Sequence, residues 1–310
     1  MPRRALYVLL LAPLWGCGSS ALPPGAVPVV QEPPPQLHEL NYHVEKDRAQ
    51  LMVNLDNLLR RHEETGDPHL RRDIEGVIGR YVSHNFGTLL GELRTGSARN
   101  KSIAAGAVGF AGRVRMSKPV CEPREAVPML LAALSEQDPV LLANALLSLW
   151  LLAEPTTMVA PILPLASHAD PAVRGNAVLA LSVIVRPGHG EEAIVALTLA
   201  AADQDPVVRV HAAQAIAHLR SPSSTGYLIN LLQDPIPLVR ARAAIGLAEL
   251  KDRTALRPLV LALRRETAPV PRDAIVRALR EISGESFDAD PKKWEEWFAQ
   301  LPPGPEPVQR

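Results

Sequence analysis

The sequence predicts an all-α fold, built as an α-solenoid in which antiparallel pairs of helices stack into an array. The main observation is an Asp-Pro dipeptide that recurs at Asp138, Asp170, Asp205 and Asp234, each time ahead of an alanine-rich stretch. The copies are 32, 35 and 29 residues apart, and a period of this size is typical of stacked repeat units. Composition agrees, because 47% of the 310 residues are hydrophobic but only 4% are aromatic, which favours closely packed helices over a β-sandwich.

Residues 1–16 are interpreted as the signal peptide of a bacterial lipoprotein. Two arginines precede an apolar run over residues 5–14, and this run is shorter than the roughly 20 residues that a membrane-spanning helix needs. The pattern therefore indicates export. The ending Leu14-Trp15-Gly16-Cys17 resembles a lipobox, and that resemblance implies a lipid on Cys17. An ordinary secretory signal, or a buried N-terminal helix with a chance cysteine, is the alternative.

Residues 17–36 are predicted to form a proline-rich tether without apolar periodicity. Such segments stay extended at about 3.1 Å per residue, which would allow a reach of roughly 60 Å from a membrane. Glycine rather than aspartate follows Cys17, and by resemblance to the sorting rule of enteric bacteria this favours the outer membrane. The expected location is therefore the bacterial cell envelope, with a lipid anchor in the outer membrane and the folded part facing the periplasm.

The rest of the chain is divided by its pattern of helices and prolines. We expect an N-terminal helical region of degenerate repeats, then the regular repeats, an aromatic C-terminal cap and a disordered tail, over residues 37–118, 119–283, 284–298 and 299–310 respectively. In the N-terminal region, helices are expected over 41–64, after Asp67-Pro68, over 88–93 and over 98–112.

Each regular repeat is predicted to pair a first helix with a second helix that opens at the Asp-Pro. Aspartate suits the N-cap because its carboxylate accepts free N–H groups of the first turn. Proline suits the next position because its missing N–H has no partner there. The first helices are expected over 125–134, 157–167, 191–202, 225–233 and 254–265. The second helices are expected over 138–152, 171–185, 206–219, 237–250 and 271–283.

These residues resemble the HEAT repeat, an α-solenoid unit of two antiparallel helices. The match is full over Asp170 to Arg174 and Asp205 to Arg209, while the copy from Asp234 to Arg240 has two extra residues. Leu142 replaces the arginine of the first copy, and Pro271-Arg272-Asp273 replaces the opening of the last. The resemblance implies that Arg174, Arg209 and Arg240 each meet a cap aspartate in their own or a neighbouring repeat. It carries almost no information about activity.

No catalytic residue, cofactor or metal site is predicted. The sequence has no glycine-rich phosphate loop, no His-Glu-x-x-His and no nucleophile elbow. With Cys17 lipidated, Cys121 has no disulfide partner in the chain and cannot build a cysteine zinc cluster alone. The expected function is that of a membrane-tethered scaffold or adaptor of the cell envelope, which binds a protein partner through the solenoid surface. Some HEAT-like proteins resemble phycobilin lyase subunits, so an enzyme or enzyme subunit of this type is the alternative function. Zero formal net charge and the export signal disfavour nucleic acid as a partner.

The distribution of charge suggests where a protein partner would bind. Residues 119–170 carry a net charge of −5, whereas residues 239–280 carry +6. This is either a polarised but solvated surface or a basic binding surface, since solenoids bind partners over extended faces. The HEAT resemblance implies that second helices line the concave side, and we expect them to attract an acidic segment of an envelope protein. The candidate partner-binding residues are Arg209, His211, Arg240, Arg242, Arg272, Arg277 and Arg280.

Overall fold

The computed structural model describes residues 44–113, 121–155, 157–185 and 191–300. The predicted signal peptide, Cys17, the tether and residues 301–310 lie outside the described residues. Over the described ranges the chain forms fourteen α-helices and four short 3-10 helices, without a β-strand. The all-α prediction is therefore confirmed. Clustering of contacts divides the chain into two compact units, Met1–Ile184 and Val185–Arg310, which we call unit 1 and unit 2.

Unit 1 contains seven α-helices within the described residues. The helices are α1 (Arg48–Glu64), α2 (Pro68–His84), α3 (Phe86–Thr95), α4 (Ala98–Val108), α5 (Val127–Ala133), α6 (Pro139–Leu152) and α7 (Pro171–Ile184). Short 3-10 helices lie at Gly109–Arg113, Pro123–Ala126 and Leu163–Ser167. The second helices α4, α6 and α7 pack in that order, with α6 between the other two.

Unit 2 contains seven further α-helices within the described residues. They are α8 (Glu191–Ala200), α9 (Pro206–Leu219), α10 (Ser224–Leu231), α11 (Pro237–Leu250), α12 (Leu256–Arg265), α13 (Pro269–Ser283) and α14 (Pro291–Ala299), with a 3-10 turn at Arg253–Ala255. The second helices α9, α11 and α13 lie side by side, with α11 in the centre. Each packs on a first helix, α9 on α8, α11 on α10 and α13 on α12.

Three of the four Asp-Pro dipeptides begin helices as predicted, whereas α11 begins two residues after the fourth, at Pro237. The carboxylates of Asp138, Asp170 and Asp205 accept hydrogen bonds from the backbone N–H two residues ahead, at 3.0, 2.8 and 2.8 Å. Proline then occupies the first helical position, where no N–H is needed. The alanines that follow are fully buried, so neighbouring helices can approach closely.

Three expected helices differ from the structure by more than two residues. The helix expected over 98–112 ends at Val108, and Gly109–Arg113 is a 3-10 helix. The helix expected over 157–167 is present only as the 3-10 helix Leu163–Ser167, because Pro155, Pro161 and Pro164 interrupt the backbone hydrogen bonds that an α-helix requires. The first helix begins at Arg48 rather than residue 41, since Asp47 caps it by accepting from the N–H of Ala49 at 2.8 Å.

The end of unit 2 is closed by aromatic side chains. Trp294 on α14 is completely buried, and its Nε1 donates to the carbonyl of Asp288 at 2.8 Å. Phe287 meets the rings of Trp294 and Trp297 edge-on, at centroid distances of 5.1 and 6.4 Å. Helix α14 packs on α12. These rings therefore cover apolar surface at the end of the repeats, which is the role of a cap in a repeat array.

Candidate functional site

The repeated arginines of the second helices turn back towards the loop that precedes them. In each case Nη1 donates to the carbonyl of the residue six positions earlier, at distances of 2.8–3.0 Å. The donor–acceptor pairs are Arg174 with His168, Arg209 with Asp203, Arg240 with Asp234, and Arg272 with Glu266. The guanidinium thus fixes the loop against the first turn of its helix.

Arg209 also binds the acidic residue of the next repeat. Its Nε lies 2.6 Å from Oδ2 of Asp234 and its Nη2 lies 2.9 Å from Oδ1, which is the bidentate geometry that makes arginine–carboxylate pairs strong. The two side chains are only 11% and 6% exposed. The hydrogen bonds to Asp234 raise the pKa of Arg209, against the effect of burial.

Arg240 repeats this arrangement with Glu266, at 2.6 and 2.9 Å. Glu266 Oε1 also accepts from the N–H of Ala268 at 2.9 Å, so Glu266 takes the place that Asp234 has in the preceding repeat. Burial alone would raise the pKa of Glu266. The hydrogen bonds from Arg240 and from the Ala268 amide outweigh that effect and hold the pKa below its ordinary value.

Arg209 meets the aspartate of the next Asp-Pro dipeptide as predicted, although that aspartate does not cap α11. The prediction is partly wrong for Arg240. The partner of Arg240 is a glutamate, whereas the sequence predicted an aspartate. A signal was present, because Glu266 precedes Arg272 by six residues, as Asp234 precedes Arg240. Asp234 itself lies two residues ahead of the helix cap and accepts from the N–H of Ile236 at 2.9 Å. For Arg174 the contacts described are with the carbonyls of its own loop.

Arg272 ends this series of arginines at backbone carbonyls. It donates to the carbonyls of Leu263, Glu266 and Ala289 at 3.2, 3.0 and 2.6 Å. The last contact ties the loop ahead of α14 to the start of α13. We call the set Arg209–Asp234, Arg240–Glu266 and Arg272 the arginine ladder. Its three arginines stabilise unit 2, and none of them is presented freely to a partner.

His211 and Arg242 occupy the same place in successive second helices, two residues after a ladder arginine. His211 is only 4% exposed, so the prediction that it lies on a partner-binding surface is wrong. Arg242 is half-buried, and burial lowers its pKa while Glu249 acts in the opposite direction. In unit 1 the equivalent positions carry buried asparagines, Asn144 and Asn176.

These asparagines connect the second helices of unit 1. Nδ2 of Asn144 donates to the carbonyl of Ser102 on α4 at 2.9 Å, and Nδ2 of Asn176 donates to that of Ala143 on α6 at 2.8 Å. Ser148 adds a further link, because its hydroxyl accepts from the N–H of Gly109 at 3.0 Å and donates to a carbonyl of α4. We call these contacts the amide links.

One solvent-facing side of unit 2 is formed by the outward positions of the second helices α9, α11 and α13. Of the seven predicted residues, Arg277 and Arg280 are exposed there and Arg242 is half-buried. Arg280 donates from Nε to the carbonyl of Phe287 at 2.8 Å. We call this surface the second-helix face, and its outward residues are Val207, Gln214, His218, Leu238, Arg242, Ile245, Glu249, Val270, Arg277, Arg280 and Glu281.

Other kinds of site receive no support from the described residues. No three His, Cys, Asp or Glu side chains in these ranges come together as a metal ion would require. None of the helices described is both long and apolar enough to cross a bilayer. Burial raises the pKa of the half-buried Cys121 thiol, against a hydrogen bond with Ser83, and this disfavours the thiolate that a nucleophile needs.

Comparison with known proteins identifies the repeats. The family model for HEAT repeats matches residues 127–205 and 194–280. No curated protein matches the chain significantly. Among solved structures, the Escherichia coli protein YibA is similar, with a TM-score of 0.50 and 19% identity over 84% of this chain and 100% of the other.

Two further solved structures bear on the fold. An engineered protein aligns at a TM-score of 0.51 and 20% identity, over 64% of this chain and 98% of the other. Human deoxyhypusine hydroxylase aligns at a TM-score of only 0.30 and 15% identity, over 76% of this chain and 98% of the other, and a likeness at that level says nothing about activity. The similarities to YibA and the engineered protein concern the fold alone.

Proposed function

Residues 127–280 of this chain are HEAT repeats, and from that premise we propose that the protein is a scaffold which binds a protein partner. Repeat solenoids present extended faces made of many equivalent positions, and partners are bound along such faces. The proposal adds that the partner contributes an acidic segment and that the scaffold is tethered in the bacterial cell envelope by a lipid on Cys17.

The observation that carries the proposal is the second-helix face of unit 2. Three helices packed side by side place half-buried aliphatic side chains, Val207, Leu238 and Val270, in the same helical position. The exposed arginines of α13, Arg277 and Arg280, lie on the last of these helices. The aliphatic groups and the cations of α13 together suit an acidic amphipathic segment, which would pack on the former and pair with the latter. Glu249 and Glu281 lie on the same face, so the acidic part of the segment would have to sit at the arginines of α13.

The arginine ladder narrows the set of residues that can bind this partner. Arg209 and Arg240 are engaged by carboxylates, and Arg272 by three carbonyls. Moving any of them to a partner would leave buried groups without their hydrogen bonds. Partner binding is therefore assigned to Arg277 and Arg280, with Arg242 beside them.

Capture of proteins from solubilised membranes by the full chain tests this assignment. The variant Arg277→Glu with Arg280→Glu reverses both exposed charges, and Arg60→Glu with Arg94→Glu makes the same change at exposed arginines of unit 1. We expect one stoichiometric partner, whose capture at low salt falls at least about tenfold in the first variant only. Equal capture by both variants, with the helical signal and Tm unchanged, would contradict the proposed face.

The tether is tested separately by fractionation. In Cys17→Ala the lipid attachment site is lost, and we expect the protein to move from the membrane fraction to the soluble fraction. If the variant remains in the membrane fraction as fully as the parent, the lipoprotein part of the proposal is wrong, while partner binding by the second-helix face is unaffected.

A further inference from the structure

A second charged surface lies on α12, away from the second-helix face. The segment from Lys251 to Glu266 contains five basic residues, all exposed, and they are Lys251, Arg253, Arg257, Arg264 and Arg265. We call these five residues the basic stripe. The partner binding proposed above does not involve them, because it uses second helices, whereas α12 is a first helix that packs on α13 and α14.

The two acidic residues of the same segment leave it with a net charge of +3, and the contacts described for them are with groups outside the basic stripe. Asp252 accepts from the hydroxyl of Thr225 at 2.7 Å and from the N–H of Thr254 at 2.9 Å. Glu266 is bound to Arg240, with its side chain only 4% exposed. The nearest described carboxylate outside the segment is that of Glu295, 3.7 Å from Nη1 of Arg264. That pair is largely exposed, so it is weak.

An aliphatic side chain stands among these cations. Leu261 is 43% exposed and lies between Arg257 and Arg264 at positions i, i+4 and i+7, which share one face of a helix. The opposite face of α12 is apolar and buried, through Leu256, Leu259, Val260 and Leu263. The exposure of Leu261 is therefore not a failure of packing, since the core side of the helix is already complete.

We propose that the basic stripe and Leu261 bind the surface of an anionic phospholipid bilayer. Lipid phosphates would pair with the arginines, and Leu261 would enter the boundary between headgroups and acyl chains, as aliphatic residues of interfacial helices do. An acidic amphipathic protein segment needs an apolar surface on which to pack, as the three half-buried aliphatic side chains of the second-helix face provide, whereas the stripe offers five cations and a single leucine. A bilayer surface offers a dense layer of phosphates for the five cations, and the acyl chains just below it offer an apolar environment for Leu261.

The inference stands on α12 alone and does not depend on the lipid anchor or on the protein partner. With an anchor present, the stripe would supply a second membrane contact. One lipid chain gives only marginal binding, and a basic patch beside it makes the attachment stable. Because tether and stripe act independently, each can be removed without the other.

Vesicle co-sedimentation of the full-length Cys17→Ala chain tests the proposal. The probes are vesicles of phosphatidylcholine with phosphatidylglycerol and vesicles of phosphatidylcholine only, and an apolar leader would bind the two kinds alike. We expect stronger binding to the anionic vesicles, weakening with added salt. Replacing Arg257 and Arg264 by glutamine should weaken that binding roughly 30-fold, since each basic residue near the surface contributes about fivefold.

Matched controls separate the stripe from general charge. Arg60→Gln with Arg94→Gln removes the same charge from unit 1 and should leave vesicle binding unchanged. Leu261→Ala should weaken binding by about threefold through lost apolar burial, whereas Val53→Ala, at a valine that is 45% exposed on α1, should not.

Three results would overturn the inference. The first is equal binding to both kinds of vesicle, and the second is equal loss in the stripe variant and in its unit 1 control. The third is a stripe variant that keeps vesicle binding but loses capture of the protein partner, which would make α12 a protein-binding surface instead. Unchanged helical signal and Tm in each variant would show that the comparison concerns folded protein.

Discussion

Units 1 and 2 connect their second helices by different chemistry. In unit 1 the amide links join α4, α6 and α7 through neutral hydrogen bonds from Asn144 and Asn176, both less than 5% exposed. In unit 2 the arginine ladder joins successive repeats through charged pairs at the helix starts, Arg209–Asp234 and Arg240–Glu266. The buried links between neighbouring second helices are therefore neutral amides in unit 1, where the ion pair Lys101–Glu136 is more exposed, and charged pairs in unit 2.

The two kinds of link should respond differently to salt, to pH and to mutation. A neutral amide bond inside the stack is insensitive to salt and to pH, but it depends on complete burial and correct geometry. A carboxylate at a helix start titrates, so its contribution changes in acid. We therefore expect the amide links of unit 1 to be sensitive to small changes of shape and charge, and the arginine ladder of unit 2 to be sensitive to pH and to the loss of single charges.

The largest effect is expected from placing a charge in an amide link. Asn176→Asp keeps the size of the side chain but replaces the donor to the Ala143 carbonyl with a buried carboxylate. The free energy of unfolding should fall by about 3–5 kcal/mol at pH 7, because the charge is uncompensated. Burial raises the pKa of the new carboxyl, so the deficit against the parent should shrink as the pH falls and the group protonates.

Urea unfolding at pH 8 and pH 5 measures this deficit, and Asn230→Asp on the exposed side of α10 is the matched control. The control should change stability by no more than about 0.5 kcal/mol at either pH. A small, pH-independent loss in Asn176→Asp would show that the amide link is not a closed, water-free contact.

Removing one arginine of the ladder should have the next largest effect. Arg209→Met leaves Asp234 without its bidentate partner and two loop carbonyls without a donor. We expect a loss of about 2–4 kcal/mol in the free energy of unfolding, because both side chains are largely buried.

Arg99→Met provides the comparison for an exposed ion pair. Arg99 lies 3.0 Å from Asp56, with the side chains 54% and 42% exposed, and such pairs contribute only about 0–1 kcal/mol. Thermal unfolding of both variants measures the difference. Similar losses of stability in Arg209→Met and Arg99→Met would mean that burial of the ladder pair contributes nothing.

Glycine positions compare how tightly the two units are packed. A Cβ at Gly109 in unit 1 would lie 2.6 Å from the backbone Cα of Ser148, whereas at Gly246 in unit 2 it would meet Ala217 and Leu228 side chains at 3.0 Å. Gly109→Ala should therefore cost about 2–3 kcal/mol. Gly246→Ala should cost less, about 1 kcal/mol, because Leu228 can rotate, the contact with the Cβ of Ala217 needs only a small movement of the helix, and alanine favours the helix. Equal melting temperatures for the two variants would refute this distinction.

The smallest effect is expected from neutralising Glu266. Glu266→Gln weakens the pair with Arg240 and should cost about 1 kcal/mol at neutral pH. Because the pKa of Glu266 is lowered in the folded state, its contribution is present above the unfolded pKa and is lost as the pH falls through the folded pKa. The parent should thus lose more stability than the variant between pH 5 and pH 3. The exposed change Glu281→Gln should leave that slope unaltered, and identical slopes for all three proteins would exclude Glu266 as a titrating link.

The sequence alone determined the repeats and most of the second helices. The predicted ranges 138–152, 171–185, 206–219 and 237–250 agree with α6, α7, α9 and α11 to within a residue. The physical reason is local: aspartate, proline and alanine act within one turn of the chain, through capping, a fixed φ and small volume. The first helices were predicted less accurately. In a proline-rich stretch such as 157–167 the apolar residues predict a helix, but the prolines remove backbone hydrogen bonds that an α-helix requires.

The candidate site could be predicted only in part, because charge is visible in a sequence and burial is not. The seven basic residues proposed for a partner include three ladder arginines, a buried histidine and a half-buried arginine. Arg277 and Arg280 differ from them only through the neighbours that surround each side chain in the fold. The same holds for Glu266, whose role depends on Arg240, 26 residues away.

What the sequence by itself determined is thus the period, the class of fold and the helix starts, since these follow from interactions between residues close in the chain. Only the tertiary structure decided which cations are committed to the arginine ladder and which are exposed on α12 and α13. It also decided that asparagines join the helices of unit 1. Those outcomes depend on contacts between residues about 25 to 40 positions apart, and a hydrogen bond of that kind is specified by packing, not by composition or local order.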